Sequence, residues 1–157
     1  MNAMTTPTQL GQPALWDTTR YGFTLRALAL PNAPKIARDN VTSALVRWGL
    51  DDEHIGIVVL IVSELVTNAV CHTGRATGPL ETLPDEDIPL IRVNIEHYFK
   101  TTTVAVWDTS PTPPTILEQY PDAEHGRGLH LITMLTNEWR HYPYNGGKTI
   151  WCKIEAL

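Results

Sequence analysis

Glu64, Asn68 and His72 stand four residues apart in a stretch that is otherwise apolar, residues 55–70, IGIVVLIVSELVTNAV. At 3.6 residues per turn a spacing of four rotates each side chain only about 40° from the last. The three polar groups therefore share one stripe of a helix whose composition marks it as buried. Burying a carboxylate without a partner is costly, so Glu64 must face a partner, an ion or a wet cavity. Two chemistries suit the stripe. Glu64 and Asn68 can satisfy backbone or an ion pair inside the fold, with His72 hydrogen-bonding at the helix end. Alternatively, Glu64 is a general base and the Asn68 amide oxygen a hard ligand for Mg²⁺.

A second cluster lies further along. Gly126-Arg127-Gly128-Leu129 starts an apolar segment directly after a proline-rich stretch. Glycines let the backbone come close to a bound group. A helix N-terminus offers unpaired N–H groups and partial positive charge, which suits an anion. Arg127 adds a cation with bidentate geometry for phosphate. The plain alternative is a tight loop-to-helix turn. Asp108 is the third piece, at the end of the apolar run Val104-Ala105-Val106-Trp107. It suits either an acceptor for a ligand's amino group or an Asx turn through Thr109-Ser110-Pro111.

The elements that hold these groups follow from periodicity. Residues 23–28 alternate as a half-buried strand does, and Pro31 ends them. Residues 32–48 carry apolar groups at three- and four-residue intervals, and Gly49 closes that helix. A second helix runs from about 52 to 72, capped by Asp51 or Asp52 and ended by Gly74. Residues 74–88 read as a loop. Residues 90–98 and 102–107 read as strands joined near Lys100. Residues 109–125 hold four prolines and little periodicity, and a loop of that length is usually a lid or binding loop. A third helix runs from Gly126 to about Leu135. Strands at 139–144 and 149–154 flank the turn Asn145-Gly146-Gly147.

Composition narrows the function. The chain has 157 residues, 43% hydrophobic and 18% charged, with a formal net charge of −5. That is one core-forming domain, 21–157, behind a flexible arm, 1–20, and it argues against disorder. An acidic chain without a basic run is a poor partner for phosphate backbones, so direct nucleic-acid binding is not expected. No apolar run reads as a membrane span, and residues 1–20 lack a signal peptide's pattern. Cys71 and Cys152 show no metal or redox spacing, which points to a reducing cytoplasm.

Together the motifs resemble the ATP-binding domain shared by gyrase, a heat-shock chaperone, histidine kinases and mismatch-repair ATPases. The order agrees: residues 64–70 as the Asn-box, Asp108 as the first glycine box, then a lid, then residues 126–132 as the second glycine box. The resemblance is nearest to the small bacterial anti-sigma factor serine/threonine kinases and covers roughly residues 20–155. It implies an α+β, two-layer sandwich, with a mixed, mostly antiparallel sheet carrying helices on one face. It implies ATP and Mg²⁺ as cofactors, with Asn68 on the metal and Asp108 on the adenine amino group. Gly126, Arg127, Gly128 and Leu129 would wrap the phosphates, and Ser110, Thr149 and His72 would join the cofactor site. Glu64 would take the proton from an attacking hydroxyl of an anti-anti-sigma protein, and a sigma factor would be the second partner. A homodimer paired through the sheet or first strand is also compatible.

One departure bears on activity. Ser110 and Thr112 occupy places where glycines are usual. Their side chains near the adenine favour an alternative: a catalytically weak or inactive nucleotide-sensing module that regulates a protein partner. A further alternative is an interaction domain that keeps only the fold.

Overall fold

The computed structural model describes residues 19–73, 89–114 and 127–156. The arm expected over 1–20 therefore lies outside the described residues apart from Thr19 and Arg20, as do the loop 74–88, most of the expected lid and Gly126.

Eight elements follow in order. They are β1 (Arg20–Leu28), α1 (Ala33–Arg47), α2 (Asp52–Thr73), β2 (Leu90–Tyr98), β3 (Thr101–Asp108), α3 (Arg127–Leu135), β4 (Glu138–Tyr144) and β5 (Gly147–Glu155). The five strands form one sheet in the order β1-β2-β3-β5-β4. The sheet, expected to be mixed but mostly antiparallel, is antiparallel at every pairing among the described strands. Hairpins β2–β3 and β4–β5 need only short turns, so local pairing suffices. The second turn is Asn145-Gly146, with φ of 49° and 77°, the left-handed pair that a type I′ hairpin requires.

Local chemistry fixes the helix ends. At the end of α1, Gly49 takes φ 75°. Its N–H bonds to the Val46 carbonyl and that of Leu50 to Leu45, the two bonds of a Schellman closure. Asp51 caps α2, its Oδ1 accepting from the His54 N–H at 2.8 Å.

The core lies between the helices and one face of the sheet. Alternate residues of the central strands are buried: Ile91, Val93 and Ile95 on β2, Val104 and Val106 on β3, Ile150, Cys152 and Ile154 on β5. Val58, Ile61, Val62, Leu65, Val66 and Ala69 of α2 are buried against them. Each large side chain so buried contributes about 1.5–3 kcal/mol. By length and composition alone α2 is apolar enough to cross a membrane, but its buried face is the centre of this core. The opposite sheet face carries polar and aromatic groups, with Arg92 over Trp107 and Arg140 over Trp151.

Two histidines share a buried hydroxyl beneath α2. His54 Nε2 lies 2.7 Å and His97 Nδ1 2.8 Å from Thr102 Oγ1. Burial lowers the His54 pKa, partly opposed by the nearby Asp51 charge. The unfolded chain, with His near 6.5, thus takes up the His54 proton first as pH falls. His54 contributes stability above about pH 6.5 that declines on acidification through the lower folded value. Urea midpoints should accordingly drop between pH 7 and pH 5, and the drop should be shallower in His54→Gln. Equal slopes for the two proteins would remove His54 as the titrating group.

Candidate functional site

Helix α2 packs over β3 and against α3, which brings the two sequence clusters together. Glu64 meets the first turn of α3. A Cβ built on Gly128 would lie 2.7 Å from Glu64 Oε2 and 3.7 Å from its Cβ and Cδ. The carboxylate thus occupies space that a side chain at 128 would take. A negative group beside a helix N-terminus is favoured by the helix dipole. No described residue forms an ion pair with Glu64. Of the two chemistries open to it, the buried ion pair is absent among the described residues.

One turn further along α2, the Asn68 Oδ1 is buried and has no hydrogen-bond partner among the described residues. An unpaired buried acceptor costs about 1–3 kcal/mol. It is a hard oxygen suited to a cation. The described residues hold no group of three or more His, Cys, Asp or Glu that could bind a metal ion. The donor set fits Mg²⁺, which takes few protein ligands and completes its shell with water and substrate phosphates.

Asp108, at the end of β3, is only 2% exposed. It faces Lys148 directly across the β3–β5 ladder. Lys148 is equally buried, and its Nζ lies 2.9 Å from Asp108 Oδ2 and 3.0 Å from Oδ1. The Ser110 N–H donates to Asp108 Oδ1 at 2.8 Å. The Asx turn weighed as an alternative is therefore present, and it leaves Oδ2 free of it. The Thr112 N–H reaches Ser110 Oγ at 3.4 Å. The glycine-poor box closes as two successive side-chain turns.

His72 completes this end of the site. Burial lowers its pKa, the Lys148 charge lowers it further, and Asp108 works in the opposite direction. The neutral imidazole is favoured. Leu129 is buried in the core, so only its backbone is available to a ligand. Arg127 begins α3, and its side chain lies outside the description. Thr149 pairs with Trp107. Successive residues of a strand point to opposite faces, so Thr149 points away from the face that carries Asp108 and Lys148. The structure gathers Glu64, Asn68, His72, Asp108, Ser110 and Gly128 at one end of the sandwich, while Thr149, itself only 5% exposed, lies on the opposite pleat from Lys148.

The residue missed in sequence is Lys148. A lysine after two glycines reads as part of a turn. The signal was the alternation Lys148, Ile150, Cys152, Ile154, which puts the lysine on the buried face.

The family of histidine kinase-like ATPase domains matches residues 27–154, most of the chain. The chain belongs to that family. This ATPase domain is similar in fold to the crystal structure of the RsbU and RsbW domains of Rv1364c from Mycobacterium tuberculosis. That similarity has 21% identity and a TM-score of 0.59, covering 86% of this chain and 32% of the other. The chain thus spans about a third of the length of that relative. It is also similar to the catalytic domain of the histidine kinase ThkA in a nucleotide-free form, at 15% identity and TM-score 0.47, covering 85% of this chain and 95% of that one. No curated protein matches the ATPase domain.

Proposed function

We propose that this ATPase domain is a Mg-ATP-dependent serine/threonine protein kinase of the anti-sigma factor type, acting in the cytoplasm. It phosphorylates a hydroxyl of a small anti-anti-sigma protein and otherwise holds a sigma factor. The observation that carries this reading is the Glu64 carboxylate against Gly128, one helical turn from an Asn68 oxygen that is unpaired among the described residues. The fold likeness to a chain with an RsbW domain agrees with it.

The chemistry follows from those groups. A partner hydroxyl oxygen bonds to the γ-phosphorus as the bond from that phosphorus to the oxygen of ADP breaks. Glu64 takes the hydroxyl proton, in the role of general base. The start of α3 holds negative charge on the phosphates through the N–H groups of its first turn. Asn68 would hold Mg²⁺, which when bound neutralises phosphate charge. Asp108 accepts from the adenine amino group.

Calorimetric titration with ATP tests the nucleotide part. In the parent, Mg²⁺ should tighten ATP binding. Asn68→Ala should bind ATP alike with Mg²⁺ and with a chelator, about tenfold or more weaker than the parent with Mg²⁺, as loss of a hydrogen-bonding or ligating group to charge costs. A variant that keeps the full Mg²⁺ effect overturns the Asn68 assignment.

The buried Asp108–Lys148 pair and the Ser110 turn favour a second reading, a nucleotide-sensing module without useful catalysis. ATP binding without phosphate transfer to any partner would select it. Absence of ATP binding would leave an interaction domain.

A further inference from the structure

Lys148 is only 2% exposed, at the end of the sandwich that carries Asp108. A buried ion pair is weak evidence of stabilisation, since apolar residues of similar size often do as well. Its hydrogen-bond capacity points elsewhere. An ammonium has three N–H donors and no acceptor. Nζ spends its good contacts on the two Asp108 oxygens, and its other hydrogen-bond partner among the described residues, the Ser110 carbonyl, lies at 3.5 Å, the outer limit of a hydrogen bond. One donor is thus poorly used. On the carboxylate, Oδ1 already receives the Ser110 N–H. Among the described residues Oδ2 receives only Lys148, and an ionised carboxylate oxygen accepts about two hydrogen bonds. The pair therefore offers one spare acceptor and one weakly held donor side by side. The edge of adenine offers the complement, an amino N–H next to the ring nitrogen N1.

We infer that Lys148 reads the nucleobase, donating to N1 of adenine while Asp108 Oδ2 accepts from the amino group. This rests on the ATP reading above and adds a residue that sets specificity within it. Gly147 and the β3–β5 register hold Lys148 opposite Asp108, so the two groups act as one fixed unit. His72, kept neutral beside them, adds no competing charge.

The test compares ATP with 1-deaza-ATP, in which N1 is replaced by C–H and the amino group is kept. Dissociation constants are measured by calorimetry for the parent and for Lys148→Met. The parent should bind ATP about tenfold or more tightly than the analogue, as expected for a hydrogen bond from a charged donor. Lys148→Met should bind the two within twofold of each other. A purely structural role would weaken both ligands equally in the variant and leave the parent's preference intact, which overturns the inference. A parent that binds both nucleotides equally also overturns it, and that arm needs no variant to fold. A parent that binds neither overturns the ATP reading itself.

Discussion

Glu64→Ala is expected to leave ATP affinity within about threefold of the parent and to cut phosphate transfer to a partner hydroxyl by roughly 10²–10⁴, the usual contribution of a positioned general base. The carboxylate lies on Gly128 at the start of α3, where the end of the phosphate chain would meet the helix N–H groups. It forms no ion pair with a described residue, so its removal strands no partner charge. Its methylenes pack in a helix whose buried residues hold the fold without it. Folding should survive, and thermal unfolding checks that. Transfer is followed by mass spectrometry of a candidate anti-anti-sigma protein, the partner class proposed above, after incubation with ATP. Glu64→Gln keeps the shape and removes the base, and should match the alanine variant. Unchanged transfer in both would end the case for Glu64 as base. Lost transfer with lost ATP binding would move Glu64 into the nucleotide site instead.

Much of this site is legible in the sequence because its parts obey local rules. The stripe Glu64, Asn68, His72 is visible because polar groups every four residues cannot hide on an apolar helix. The ends of α1 and α2 follow from Gly49 and Asp51, whose roles need only neighbouring residues. The Asn145-Gly146 turn fixes the β4–β5 hairpin for the same reason. What stayed hidden depends on contacts far apart in sequence. Lys148 reaches a carboxylate 40 residues away, and His54 meets Thr102 across 48. Such pairs depend on strand register, which one sequence specifies only through the whole sheet. Thr149 shows the cost of a one-residue difference. It neighbours the residue that faces Asp108, and the pleat turns it to the other side.

Register is also why Gly147→Ala should be among the most damaging single changes in the chain. A Cβ at 147 would stand 1.9 Å from the Asp108 carbonyl oxygen, 2.9 Å from its carbon and 3.0 Å from Thr109 Cα. All three are backbone atoms, so no rotamer change relieves the clash. The ends of β3 and β5 must part, and the Asp108–Lys148 pair stretches with them. Overpacking of this kind costs about 3 kcal/mol, which for a domain of this size lowers the melting temperature by roughly 6–12 °C. ATP affinity should fall together with stability, because the same separation moves the base-reading pair. Gly56→Ala is the matched control. Gly56 is exposed on α2 with nothing within 4 Å of a new Cβ, and alanine there should gain about 0.5–1 kcal/mol through helix propensity. Urea unfolding of the two variants gives both signs in one experiment. A Gly147→Ala protein as stable as the parent would mean that this end of the sheet yields, and a pair held so loosely could not discriminate between nucleobases.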